Sequence, residues 1–187
     1  MKQIIFPTLI FSLLVVACGS SNSDKKIDHT VKEVAAGNGI ESSSEAGKTG
    51  KFSFDGKEVS AEVTTQYFGS DKEKSNFSVL CQHNEGDAAN PNFELLQVTF
   101  INEMDATANP ALKIYDGGSM LPTTEPEPGI VSVALSGVGN GLGSKEFTGS
   151  GKSTGRIVVK NKTVELKDLV LFNADGEKKV VNAVLPF

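Results

Sequence analysis

The chain has 187 residues, with 18 Lys and Arg against 23 Asp and Glu, for a net charge of −5 at pH 7. Its lysines are interleaved with acids rather than gathered in a stripe, a pattern that repels polyanions and argues against nucleic acid as a partner. With 39% hydrophobic residues and only 2 cysteines, the composition points to one compact domain held by a hydrophobic core rather than by disulfides.

In chain order, Met1 and Lys2 give a short positive start, and Ile4 to Ala17 are apolar apart from Pro7, Thr8 and Ser12. The stretch is too short for a permanent spanning helix and reads as a secretory h-region. Cys18 follows directly on Leu14, Val15, Val16 and Ala17. From Gly19 to about Gly50 the residues are mostly Gly, Ser, Asn, Asp, Lys and Glu, with Ile27, Val31, Val34 and Ile40 the only bulky aliphatics. This composition predicts a flexible tether with a typical reach on the order of 30 Å. Asp28 is a cap candidate for a short helical turn through Val31 and Val34, but about nine residues are marginal as a helix alone. The organisation expected is therefore a signal segment over 1–17, a tether over 18–50 and one domain over 51–187.

Beyond Gly50 the apolar residues recur with period two, the mark of strands with one buried face. Val59, Ala61 and Val63 alternate with polar residues, and Asp55-Gly56 joins them to Phe52 and Phe54 through a predicted tight hairpin turn. Further strands are predicted at 76–82, 93–102, 111–115, 130–136, 156–160, 163–172 and 179–187, with two-residue turn chemistry at Asn161-Lys162 and another turn over 173–176. Val164 and Leu166 have one parity and Leu169 and Leu171 the other, which predicts a bulge or a break near Lys167 and Asp168. In the last segment Val181, Ala183, Leu185 and Phe187 fall on one face. Val180 and Val184 make the opposite face apolar, so this strand is expected to be interior and covered on both sides. The pattern gives an all-β fold, an antiparallel β-sandwich of about eight or nine strands, with a small β-barrel as the alternative.

Few residues suggest chemistry. Thr148 to Thr154 reads T-G-S-G-K-S-T, but a P-loop needs a glycine where Glu146 stands and a helix afterwards, and the residues that follow are strand-like. Cys81 and His83 project from one strand face as a conceivable nucleophile pair, yet Phe77 and Val79 share their parity, which makes Cys81 a small buried hydrophobe. No cluster has zinc spacing, and the acidic stretches at Asn84, Glu85 and Asp87 and at Asn173, Asp175 and Glu177 lack the full calcium-loop pattern, so no metal or cofactor is expected. Two long loops remain. Asp116 to Gly129 carries three prolines and can present Tyr115, Met120 and Leu121 as a fixed binding surface, and Gly137 to Gly155 is rich in glycine.

The run from Met1 to Cys18, with a small residue just before the cysteine, resembles the processing site of bacterial lipoproteins. That resemblance implies cleavage before Cys18, diacylglyceryl and acyl chains on Cys18, and a lipid-anchored place in the cell envelope. Gly19, standing where an inner-membrane retention signal would carry Asp, implies the outer membrane, facing the periplasm or the cell surface. An acylated Cys18 leaves Cys81 as a lone thiol, so no intrachain disulfide is expected. The rest of the chain resembles, in general pattern only, the small β-sandwich lipoproteins of Gram-negative envelopes such as those of the Bacteroidota. The expected function is a non-catalytic module that binds an envelope protein or glycan through its loops, and the alternative is a hydrolase or enzyme inhibitor on the same scaffold. The covalent lipid is the only attached group implied.

Overall fold

A computed structural model of the chain describes residues 42–86, 91–107, 112–119, 121, 127–138 and 145–187. The signal segment, Cys18 and the spacer up to residue 41 lie outside the described residues, as does Met120.

Ten strands and one short helix are arranged as β1 (Ser42–Phe54), β2 (Lys57–Phe68), β3 (Asn76–Gly86), β4 (Pro91–Phe100), α1 (Glu103–Thr107), β5 (Lys113–Ile114), β6 (Ile130–Val138), β7 (Lys145–Thr148), β8 (Arg156–Lys160), β9 (Thr163–Phe172) and β10 (Lys178–Pro186). The hairpin turns form where turn chemistry predicts them. Asp55 and Gly56 both take positive φ, and so do Asn161 and Lys162, as a primed two-residue turn requires. Asn102 caps α1, its Oδ1 accepting from the Asp105 N–H at 2.9 Å.

The fold is all-β, and the sheet closes on itself. β10 pairs with both β1 and β9, and the path β1-β2-β3-β4-β6-β7-β9 completes an antiparallel ring of eight strands, with β5 and β8 outside it. The molecule is thus the barrel of the two expected architectures, not the sandwich. Alternation marks one buried face per strand in either case. Closure separates the two: the β10–β1 pairing joins the first and last strands, and the β7–β9 contact completes the ring.

The inward faces fill the barrel. Phe52, Val79, Cys81, Leu96, Val98, Val133, Leu135, Phe147, Leu169, Leu171 and Leu185 are all buried in one cluster. Each large apolar side chain so removed from water contributes roughly 1.5–3 kcal/mol. The expected irregularity in β9 is present as a bulge: Asp168 has a φ of 49°, the register against β10 shifts between Val181 and Ala183, and the Asp168 N–H donates to Asn182 Oδ1 at 2.9 Å. As a result Val164, Leu166, Leu169 and Leu171 all point inward despite their mixed parity. Gly155 lies against this bulge with φ +110, and a Cβ there would sit 2.4 Å from the Asp168 carbonyl oxygen.

Three expectations are corrected. β1 starts at Ser42, and Lys48, Thr49 and Gly50 pair with Val63, Glu62 and Ala61, so the strand takes in residues assigned to the tether. Polar composition suggested a spacer, but β2 offers a hydrogen-bonded edge that a polar strand can fill. The outer face of β10 is not covered: Val180 is 42% and Val184 53% exposed, because in a barrel that face looks to solvent. β7, hidden in the glycine-rich loop, is a strand because Phe147 anchors it in the core.

The wall is uneven. β7 meets β9 through a single residue pair, Thr148 with Phe172. Beyond it the chain turns out over Ser150 to Ser153, then β8 resumes beside β9. On the facing side, β5 pairs in parallel with the start of β6 at Ile130 and Val131. Helix α1 lies across this end of the barrel, against β3, β4 and β8, with Ala106 buried and the Tyr67 hydroxyl donating to Glu103.

Candidate functional site

The two long loops meet. Asp116, Gly117 and Gly118 from the first, Lys145, Glu146, Thr148, Gly149 and Ser150 from the second, and the turn Phe172 to Asp175 line an open cleft of about 560 Å³ on the outside of the wall, beside the weak β7–β9 junction. Close approach depends on a missing side chain: a Cβ on Gly149 would lie 2.3 Å from Ile114 Cγ2. Gly149 instead donates its N–H to the Val133 carbonyl at 3.0 Å, which seats the second loop against β6 and next to the first.

The cleft exposes more apolar than polar surface, and local bonds tie the turn at its edge. Asn173 Oδ1 accepts from the Glu177 N–H, and its Nδ2 donates to Glu177 Oε2, both at 2.8 Å. Lys145 Nζ reaches Glu177 Oε2 at 2.6 Å. Each partner favours the charged form of the other, so the hydrogen bond raises the Lys145 pKa and lowers that of Glu177. The side chains of the 173–177 turn therefore serve one another and a lysine. Among the described residues no group of three or more His, Cys, Asp or Glu is placed to hold a metal ion.

The loop residues singled out in the sequence separate. Tyr115 is half-buried, its N–H donating to the Val131 carbonyl at 2.8 Å and its ring lying against Gly117 beside the cleft. Leu121 is a correction: it is 4% exposed and therefore unavailable to a partner. The described residues at both ends of this loop lie on the barrel wall, where Ser132 donates to the Gly118 carbonyl and Leu121 is buried. The outward side chains of Ser78, Thr99 and Ser132 are likewise buried, with Ser78 and Thr99 hydrogen-bonded at 2.7 Å. Exposure of a proline-rich loop could not be judged from its composition, because what it covers is set by the strands beneath it. Met120 lies outside the described residues.

No family model, curated protein or solved structure matches the chain. Its chemistry rests on its own residues.

Cys81 and His83 do not form a nucleophile and base pair. Cys81 sits inside the barrel at 0% exposure, its Sγ 3.8 Å from the Ala61 carbonyl oxygen, and burial pushes the thiol pKa up to about 11. A thiol in that setting stays protonated and inert. His83 stands at the rim of the barrel, opposite Glu94 in the β3–β4 ladder, with Nδ1 3.4 Å from Glu94 Oε2 and 3.9 Å from Glu85 Oε1. Glu94 is the residue that sequence reasoning missed. It shares the inward parity of Leu96 and Val98, is 5% exposed, and is held by Lys57 from β2. The polar residue at an inward position was a legible signal, but its two partners were not. The T-G-S-G-K-S-T stretch is a turn closed by Ser150 and Ser153 and followed by β8, so its glycines serve a bend and not a phosphate.

Proposed function

We propose that the chain is an envelope lipoprotein, anchored in the outer membrane by acyl chains on Cys18, whose barrel is a non-catalytic module that holds an envelope protein or glycan in the cleft between its two long loops. The observation that carries the binding role is the convergence of Asp116 to Gly118 and Lys145 to Ser150, two segments far apart in sequence, on one open concave surface. Two further features support binding over catalysis. The barrel interior is filled by apolar side chains, and the thiol is buried within it. The anchor is supported by the sequence from Met1 to Cys18 alone, and two or three acyl chains on one residue hold a protein to a bilayer essentially permanently.

The two halves of this reading are tested separately. Intact-mass analysis of the native protein should show a chain beginning at Cys18 and carrying lipid, and Cys18→Ala should move the protein out of the membrane fraction. A mature product that starts elsewhere or carries no lipid defeats the anchor. For the cleft, Ala174→Trp fills it from an exposed turn position. Affinity capture from envelope extracts with the full chain should recover a defined partner that this variant loses, and capture unchanged by the variant removes the cleft from the account.

A further inference from the structure

We infer that the cleft takes a glycan rather than a protein, and that the glycan is a neutral sugar chain rather than an acidic one. The assignment rests on the reading of the cleft as the binding site and names its ligand class. Size is the first ground. A volume of about 560 Å³ falls within the range of about 300–1,000 Å³ typical of small-ligand sites. A stable protein partner would instead cover about 800 Å² of this chain, with large apolar or aromatic anchors near the centre of the contact. Among the described residues the exposed large hydrophobics are Met104, Val180 and Val184, and none of them lines the cleft.

The lining matches a sugar in both its apolar and its polar parts. Leu171 is buried in the barrel, so alternation turns Phe172 to the outer face, where it lies half-buried beside its ladder partner Thr148. An aromatic surface of this kind packs against the C–H face of a pyranose ring. Hydrogen-bond acceptors stand around it. Asp116 reaches across between the two loops, where a Cβ on Gly151 would lie 3.0 Å from its Oδ2, and Glu146 and Asp175 are exposed in the same lining. Carboxylates accept strongly from hydroxyl groups, which a sugar offers in series. The one cation of the lining, Lys145, is already engaged by both carboxylate oxygens of Glu177, at 2.7 and 2.6 Å. Three carboxylates against one engaged ammonium repel uronate, sulfate and phosphate groups, and this selects uncharged sugars.

The test uses isotope-labelled full chain in a polyoxyethylene detergent, which carries no sugar. Maltohexaose, xylohexaose, mannohexaose and chitohexaose are the neutral probes and hexagalacturonate is the acidic one, with the amides of Gly117, Gly118, Gly149 and Ala174 followed by NMR. At least one neutral probe should shift these amides to saturation, and hexagalacturonate should not. Ala174→Trp should weaken that binding by about tenfold or more. Phe172→Leu, which keeps an apolar side chain in the ladder and removes the aromatic face, should weaken it by about threefold or more. No shift with any neutral probe, shifts confined to amides elsewhere, equal binding of hexagalacturonate in the cleft, or an affinity untouched by Phe172→Leu overturns the assignment. In each of these cases the cleft keeps its binding role if Ala174→Trp still loses a partner captured from envelope extracts, so failure of the sugar class and failure of the cleft are told apart.

Discussion

The two sides of this barrel are built differently. From β10 through β1, β2, β3 and β4 the ladders are long: β3 and β4 pair from Phe77 with Phe100 to Gly86 with Pro91, and β2 pairs with β3 over six successive residues from Val63 to Phe68. On the other side closure rests on Thr148 and Phe172, and the wall beyond them is shared by β5, β8 and a turn. Both sides bury aromatic and aliphatic side chains in one core, yet the cleft falls on the side where the ladder is short. Continuous ladders leave backbone groups satisfied and no room for a partner. Interrupted ones leave edges and concavities, held in place by the packing beneath them.

The largest effect expected from breaking this comparison is on the weakly closed side. Phe147→Ala should cost about 3–5 kcal/mol, because Phe147 is fully buried and anchors β7. Phe52→Ala, in the long ladders, should cost a similar amount by its volume. The two should differ in hydrogen exchange: Phe147→Ala should speed exchange selectively in β7 and β8, whereas Phe52→Ala should lower protection throughout. Matching exchange patterns would mean that the two sides unfold as one unit.

Next in size is the buried Leu121. Leu121→Ala should lower stability by about 2 kcal/mol or more, as expected for a side chain 4% exposed. Tyr115→Ala, at a half-buried position, should have the smaller effect. Chemical denaturation of the two variants would rank them, and the reverse order would place Leu121 outside the core.

A smaller effect is expected at high pH. Burial, with Glu103 beside the ring, raises the Tyr67 pKa from 10.0 to about 12, and burial raises that of Cys81 from 9.0 to about 11. Both groups bind their protons more tightly folded than unfolded, so their contribution is fully present below pH 9.0 and is lost as pH rises through about 11 and then about 12. Thermal melts across that range should show the decline, and Tyr67→Phe should flatten its upper part while losing about 1 kcal/mol at neutral pH. A melt for Tyr67→Phe that follows the wild type at every pH would contradict this assignment.

The smallest effect is expected at the exposed Lys145–Glu177 pair, where solvent and salt screen the charges. Lys145→Ala should leave the melting temperature unchanged within error, although it alters the charge of the cleft.

Residue chemistry read without a structure placed most of the strands, though not β7 or the start of β1, together with the Asp55-Gly56 and Asn161-Lys162 turns and an irregularity near Asp168, because alternation, turn propensity and a parity conflict are local properties of a few neighbouring residues. It also identified Cys81 as a buried hydrophobe, since Phe77 and Val79 flank it at the same parity. Tertiary structure alone decided that β10 returns to β1 and makes a barrel rather than a sandwich, that Val180 and Val184 face solvent while Leu121 does not, and that Glu94 meets Lys57 and His83. The cleft belongs to the same class, since its walls come from three segments. Each of these outcomes depends on which distant strand becomes a neighbour, and that choice is made by closing a sheet around a shared core, which no short stretch of residues encodes by itself.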